Sequence, residues 1–470
     1  MKYVLGIDFG GGASKATLLS EAGEIVATNT VEYPTLYPSP RFVEQDPMDW
    51  YRATKTNIAA VLEKSGVAPT DVKVVALDAA THTAVLMDKD FNILRPAIYW
   101  TDTRCIDEVN YLKANYGDII KEQTLHVVDT IWTLPQLLWV KDHEPEIWAK
   151  TKKVFLLEDW ILYKLTGRFI SEKTLQSSTI YFDIHKAEWW GEMLDFIGVS
   201  PDMLPKLYSS AERVGEYEGM QVVTGAIDQI AGAIGAGVVK PGIVSVMTGT
   251  TMVIFLPSDS VPEYNAASIV PCHYNYDDKY CLLSWTPTAG MALKWFRNAL
   301  CENFSFRELD ELASAVPAGS DGVTFLPYLC GSTMPKYNPA ARGSFTGLTT
   351  EHTRGHFVRA VMESVACMLK SNLDYLGLEV DEIRAMGGGA SSPLWCQMKA
   401  DMTGKKLVTL KNKETACLGS AILAAVGVGR FSSVEEAAKA IELDRVYESQ
   451  GVDYTECYER YTSYDKLLNN

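Results

Sequence analysis

Apolar and polar positions follow one recurring pattern in the first half of the chain. Residues 3–8 form a short apolar run closed by Asp8, and Gly10, Gly11 and Gly12 follow. Then come Lys15, the apolar ATLLS, the turn EAGE and IVATNTV. Short apolar runs broken by turn residues predict three antiparallel strands joined by tight turns. Residues 47–64 carry Trp50, Tyr51, Ile58, Val61 and Leu62 at helical spacing. Residues 72–77 predict a strand that runs into Asp78-Ala79-Ala80-Thr81-His82-Thr83 and a further strand, AVLMD. A turn at 88–92 and a strand at 97–100 lead through WTDTR into a helix. Residues 131–143 and 145–150 read as helices, with an apolar stripe of Trp132, Leu134, Leu138 and Trp139. A strand at 154–157 precedes a helix that Gly167 stops.

The pattern returns in the second half. Residues 242–247 predict a strand, 248–251 (TGTT) a turn of small residues and 252–256 the returning strand. A strand, Gly/Thr turn and strand in each half imply an internally duplicated architecture. A helix begins after Gly290, a strand covers 324–328, and a long loop at 331–347 carries Pro335, Pro339 and Arg342. Residues 356–369 form an amphipathic helix. A strand at 383–386 opens onto Gly387, Gly388, Gly389, Ala390, Ser391 and Ser392, ahead of a helix from about Leu394. Residues 414–426 predict a helix with Ala416, Gly419 and Ser420 on a small-residue face.

Between the halves lies TGAIDQIAGAIGAG, residues 224–237, with the single acid Asp228. Ala231, Gly232, Gly235 and Gly237 allow a helix to approach its neighbours closely. The free N–H groups and the dipole of a helix start favour an anion there. Two roles are open to Asp228: a helix cap, or a general base beside a cleft.

Composition narrows the functional classes. A chain of 470 residues is too long for one core, which makes two domains, 1–236 and 240–470, the expectation. Hydrophobic residues at 47% and charged residues at 22% describe an ordinary soluble globular protein. A net charge of −16 argues against nucleic acid and anionic membranes as partners. It leaves room for a phosphate ligand, because a nest of backbone N–H groups binds anions inside an acidic protein. The nine cysteines are scattered without CxxC or His/Cys ligand spacing, so neither a zinc site nor a disulfide framework is indicated. No run approaches the roughly 18 apolar residues of a membrane helix, and the start of the chain does not read as a signal peptide. The cytoplasm is the simplest location. A homodimer is left open.

Candidate chemistry sits at the turns. The first glycine turn opens a strand and not a helix, which weakens a P-loop or dinucleotide-binding reading. Glycines without Cβ still let backbone N–H groups reach a polyphosphate; a plain hairpin is the alternative. Asp8, at a strand end, suits Mg²⁺ held through its waters. His82 and Asp102 lie near strand ends, where α/β folds place ligands, although a lone histidine also serves structural roles. The glycines at 387–389 do sit between strand and helix, where a nucleotide approaches a helix N-terminus.

The residues then carry a family resemblance. GSFTGLTTEHTRGHFVRAVMES, residues 343–364, resembles the C-terminal signature of the FGGY carbohydrate kinases at Gly347, His356, Ala360 and Glu363. Further similar stretches are the N-terminal acid and glycine turn with Lys15, WTDTR at 100–104, LPQLLWVKDHEPEIW and EDWILYKLTGRF within 134–169, and the Asp228 stretch with Gln229. MTGTT, FLPYLCGSTMPKYNPAARG, GGGASSPLW and ETACLGSAILAAVGVG continue in the family's order. The chain is most similar to the xylulokinase group.

The resemblance implies an α/β fold of two ribonuclease-H-like domains of the actin/hexokinase ATPase type around a central cleft. It implies an ATP:sugar phosphotransferase, with D-xylulose to D-xylulose 5-phosphate as the leading reaction and a small-molecule sugar as the partner. Another ketopentose, a polyol or a sugar acid is the alternative substrate. In that reading Asp228 is the general base, and Thr81, His82, Asp228 and Gln229 contact the sugar. Asp8 positions Mg²⁺. Gly10, Gly11, Gly12, Lys15, Gly249, Thr250 and Thr251 hold the phosphates of ATP, and Gly290, Gly387, Gly388, Gly389 and Ser392 bound the nucleotide. Phosphoryl transfer to a hydroxyl needs one base, a metal and many charge-stabilising donors.

Three positions depart from the family. Gly11-Gly12 replaces hydroxyl residues, Ala80-Thr81-His82 replaces Gln-Met-His, and Gln136 stands where the N-terminal signature has Lys. A different class, a non-catalytic nucleotide-dependent regulator on the same fold, is disfavoured by the presence of Asp228. A dehydrogenase is disfavoured by the strand after the first glycine turn.

Overall fold

The computed structural model describes residues 3–265 and 267–468; the ends of the expected domains, 1–2 and 469–470, lie outside them. The chain forms two compact units. The first contains everything described up to Val239, together with Ser258–Leu282 and Glu414–Ile441. The second contains Lys240–Pro257, Leu283–Lys413 and the described remainder from Glu442. One cut at residues 236–240 therefore does not separate them, because two later segments return to the first unit.

Small residues explain one of those returns. In the first unit, the helix Thr415–Gly427 packs on the helix Asp228–Gly235 and on the strand Tyr3–Phe9. A Cβ on Gly419 would lie 1.8 Å from the Ala231 carbonyl oxygen, and one on Gly235 would lie 1.8 Å from that of Thr415. A Cβ on Gly6 would lie 2.2 Å from the carbonyl oxygen of Cys417. Backbone touches backbone here, and no larger residue fits. The two small-residue faces read from the sequence are partners in one interlock.

The first unit is built on a six-stranded sheet in the order Arg213–Tyr217, Met220–Ile227, Val72–Ala79, Tyr3–Phe9, Ala13–Ser20, Ile25–Glu32. Tyr3–Phe9 pairs antiparallel with Ala13–Ser20 and parallel with Val72–Ala79, which pairs parallel with Met220–Ile227. Its core gathers Leu5, Ile7, Phe9, Leu18, Trp50, Val75 and Leu77, all nearly inaccessible. Alternation along the strands and the apolar stripe of Pro47–Ser65 supply these side chains from opposite sides.

In the second unit the strands run in the order Met252–Ser258, Gly242–Thr248, Val380–Met386, Lys406–Leu410, Leu443–Tyr447. Gly242–Thr248 pairs antiparallel with Met252–Ser258 and parallel with Val380–Met386, which pairs parallel with Lys406–Leu410. A hairpin, a parallel pair and an antiparallel edge strand thus occur in both units. That is the duplication expected from the paired turns. The edge strand Leu443–Tyr447 was hidden from the sequence reading because it lies mostly exposed and carries no clean alternation.

Local chemistry sets several ends. Asp46 caps Pro47–Ser65 by accepting from Met48 N at 2.8 Å, and Gly66 closes it at φ +66°. Within the 343–364 signature, Glu363 and His356 make structural contacts. Glu363 accepts from Arg359 Nε at 2.7 Å, Gly319 N at 2.9 Å and Ser320 Oγ at 2.8 Å, so a buried carboxylate ties a helix to the loop ahead of the strand Thr324–Leu326. His356 caps its own helix start through Thr353 and reaches Asp321. Among the described residues no helix is long and apolar enough to cross a membrane, and all nine cysteines are free.

Candidate active site

Three parallel strands of the first unit deliver three carboxylates to their carboxyl ends. Asp8 lies opposite Asp78 in the ladder between Tyr3–Phe9 and Val72–Ala79. Asp228 follows the end of the neighbouring strand Met220–Ile227 and opens the helix Asp228–Gly235. Parallel sheets place their functional groups at this edge because each strand end there feeds a loop or helix start. Asp78 is wholly buried, and its Oδ2 accepts from Ser420 Oγ. Burial and the neighbouring Asp8 push its carboxyl well above the usual range. Burial likewise raises Asp8, while Asp78 and Lys15 pull it back. Sequence reading passed over Asp78 as a strand end; only the ladder register reveals that two acids share one step.

Asp228 behaves differently from the helix-start expectation. Its Oδ1 accepts from Gln229 N at 2.7 Å, as a helix-start carboxylate does. Yet burial, reinforced by the negative field of Asp8, raises its carboxyl to about 7 and outweighs that bond. The anion is destabilised, not stabilised. An acid poised near neutrality is what general-base chemistry requires.

His82 lies three residues beyond Val72–Ala79, the strand next to the one that carries Asp228. It is a non-glycine residue held at φ +83°, a strained conformation of the kind retained at functional sites. Its Nε2 is 2.8 Å from Thr81 Oγ1, so the two residues of the changed pair hold each other. The ring meets Trp132 edge-on at 4.7 Å between centroids; Trp132 meets His126 at 4.6 Å, and His126 meets His273 at 4.8 Å. All three histidines are buried, and His82 Nδ1, His126 Nε2 and His273 Nδ1 find no partner among the described residues. Burial lowers His82 to about 3, His126 to about 4, and His273 well below its ordinary value, so each ring is neutral at pH 7. His126 Nδ1 donates to the Thr124 carbonyl at 2.6 Å, which leaves a lone pair on Nε2. Sequence reading singled out His82 and missed His126 and His273. They are isolated histidines far apart in the chain, and no spacing links them. Asp102, marked with His82, is structural: its carboxylate accepts from Arg104 at 2.8 Å and from Val43 N.

The glycine turn of the first unit is a built cradle. The carbonyl oxygens of Gly10, Gly11 and Gly12 accept from Tyr33 OH, Gln45 Nε2 and Tyr33 N. Among the described residues the N–H groups of Gly11 and Gly12 have no partner in the chain, so the turn presents donors and hides acceptors. Lys15 Nζ is bound to Glu414 Oε2 at 2.6 Å, which offsets its charge and leaves the turn dependent on backbone donors.

The second unit carries the remaining candidates together. The oxygens of Gly249 and Thr250 accept from Gly290 N at 2.8 Å and Ala289 N at 3.0 Å, at the start of the helix Gly290–Leu300. Gly387, at φ +75°, lies against Thr248: a Cβ there would come within 2.9 Å of the Thr248 oxygen. Ser392 caps Pro393–Thr403 by accepting from Trp395 N at 3.1 Å. The turn at 249–251, the Gly290 helix start and the triple-glycine loop thus lie together, the first two locked to each other by backbone hydrogen bonds.

Residues 3–237 match the N-terminal domain, and residues 244–428 the C-terminal domain, of the FGGY family of carbohydrate kinases. The chain belongs to that family. This carbohydrate kinase is 32% identical over 453 residues to a xylulose kinase of Bacillus subtilis (strain 168), covering 93% of this chain and 91% of the relative. It is 28% identical to a glycerol kinase of Thermococcus gammatolerans, covering 95% and 93%. A crystal structure of a xyloylose kinase from Brucella ovis superimposes with a TM-score of 0.93 at 28% identity, covering 100% of this chain and 99% of that one. The kinase therefore has the two-domain α/β fold of its family, with two mixed sheets, and transfers phosphate from ATP to a carbohydrate.

Proposed function

We propose that this kinase phosphorylates a hydroxyl of an uncharged sugar, with D-xylulose to D-xylulose 5-phosphate as the leading reaction. The observation that carries the substrate class is the neutral histidine cluster. His82, His126 and His273 offer lone pairs and N–H groups without positive charge. Hydroxyls both donate and accept, so they satisfy such groups; a sugar acid calls for Arg or Lys. The likeness to a xylulose kinase supports the ketopentose. Thr81 in place of a methionine, and the likeness to a glycerol kinase, favour a second reading as a kinase for another ketopentose or a polyol.

In this reading Asp228 takes the proton from the attacking hydroxyl, and its carboxyl near 7 lets it do so at neutral pH. Gln229, Thr81 and His82 orient the sugar. The bare N–H groups of the turn at 10–12, and the turn at 249–251, bind phosphate oxygens. Gly290, Gly387, Gly388, Gly389 and Ser392 border the nucleotide. The carboxylate oxygens of Asp8, at the strand end, fit a hard cation, and Asp8 would hold Mg²⁺. Such an ion, when bound, neutralises charge on the transferring phosphates. A cytoplasmic location accompanies the proposal.

The test is an ADP-release assay over D-xylulose, D-ribulose, glycerol, D-arabinitol and D-gluconate. The expected result is the highest kcat/KM on a ketopentose. The highest kcat/KM on gluconate would overturn the substrate class.

A further inference from the structure

A buried lysine lies beneath the phosphate turn of the second unit. Lys399, on the helix Pro393–Thr403, is 1% exposed. Its Nζ donates to Thr248 Oγ1 at 2.9 Å and sits 4.7 Å from the centre of the Trp395 ring. No carboxylate pairs with it among the described residues. One hydroxyl and one ring face are slight compensation for a full charge removed from water, and two of its three N–H donors have no acceptor. Burial holds its ammonium down at about 8. The Cys396 thiol, one turn back, acts on Lys399 and is itself acted on by Asp310 and Arg445. These neighbours do not supply a close counter-charge.

The position of the ammonium indicates what it awaits. Thr248 is the last residue of Gly242–Thr248 and launches the turn at 249–251. Gly389 covers the same spot: a Cβ there would lie 2.7 Å from Thr248 Cβ and 3.3 Å from Lys399 Nζ. The lysine is therefore enclosed where the triple-glycine loop meets the strand end that launches the turn. An anion bound at the turn would restore the missing counter-charge from the other side of one hydroxyl. A chain with leucine or glutamine at this position would build the same loop without a buried charge, so the charge calls for a ligand that uses it.

We propose that Lys399 is a positioning residue for the nucleotide's phosphates, acting through Thr248 and its own positive charge on the turn at 249–251. The proposal rests on the reading of this constellation as the ATP site. It assigns to Lys399 the recognition of phosphate as opposed to nucleoside.

The experiment is calorimetric titration of the full-length kinase with ADP and, separately, with adenosine. Wild type should bind both, ADP more tightly; failure to bind either would count against the nucleotide-site reading itself. Lys399→Met should weaken ADP by on the order of ten- to a hundredfold, as loss of one charge-assisted contact does, and leave adenosine within about twofold. Lys399→Arg should recover most of the ADP affinity. In wild type, ADP affinity should fall as pH rises from 7 to 9.5, because the free enzyme gives up the proton above about 8, and Lys399→Arg should flatten that dependence. Should Lys399→Met fold poorly, Thr248→Val removes the oriented hydroxyl and should weaken ADP severalfold with adenosine unchanged. An unaltered ADP affinity, or equal losses for ADP and adenosine, would reduce Lys399 to a scaffold residue and overturn the proposal.

Discussion

Replacing Asp228 by Asn removes the ionisable proton and almost nothing else. Asn keeps an oxygen for Gln229 N, so the helix start should survive. The consequences for stability and catalysis have opposite signs. Asp228 is raised from 3.8 to about 7 in the folded chain, so the native state retains a proton that the unfolded chain has released. Where the native state binds more protons, stability falls as pH rises. The loss begins near the unfolded value, about 4, and is complete a little above 7. Three units at about 1.4 kcal/mol each set a ceiling of about 4 kcal/mol. The carboxyl is partly accessible, so solvent screens it, and a gain of about 1–2 kcal/mol for the variant at pH 8.5 is the working figure. Urea melts from pH 5 to 8.5 measure it: the advantage of Asp228→Asn should grow with pH and level off above about 7. Turnover should fall by about 10²–10⁴-fold, because Asn cannot take the sugar's proton. Wild-type kcat/KM should rise with pH through an apparent value near 7, which belongs to the coupled carboxylates Asp8, Asp78 and Asp228 together. Near-normal turnover in the variant, or a stability advantage that shrinks as pH rises, would refute the base assignment and its electrostatics.

The other expectations are more local. His126→Phe keeps an edge-on ring beside Trp132 but loses the Nε2 lone pair; KM for the best sugar should rise by about tenfold with KM for ATP unchanged, as read from initial rates with each substrate varied. Thr81→Met should move the rank order of the sugar panel toward D-xylulose. Gly419→Val drives a branched side chain into the Ala231 backbone and should cost about 3 kcal/mol or more, measured by denaturant unfolding. Arg359→Leu leaves Glu363 buried without its cation and should destabilise by about 3–5 kcal/mol, with little change in KM of whatever protein remains folded.

Turns, helices and the paired hairpins were legible because each rests on local chemistry. Gly66 and Gly167 stop helices through their own backbone freedom, and the glycine turns declare themselves by composition. The catalytic candidate was legible for a similar reason: Asp228 is the lone acid in an apolar, small-residue run. Its ionisation was not. A helix start lowers a carboxyl, and only the proximity of Asp8, 220 positions earlier in the sequence, together with burial, reverses the sign. His126 and His273 were invisible on the same grounds, because their ring contacts join residues far apart in the chain. The compact units are discontinuous in sequence because Thr415–Gly427 packs where its glycines fit and not where its sequence number points.

That interlock ties the Asp228 end of the first unit to the order of synthesis. The helix carrying Asp228 presses its glycines against a segment encoded about 180 residues later. While a ribosome is still making the middle of the chain, the face of Asp228–Gly235 that will receive Thr415–Gly427 has no cover, and neither does that side of Tyr3–Phe9. Asp228, the proposed base, can reach its final setting only when most of the polypeptide has emerged. A stop codon anywhere before residue 414 thus removes part of the first unit, not merely a tail of the second. For the same reason, a designer who wishes to exchange the first unit between relatives must move residues 258–282 and 414–441 with it.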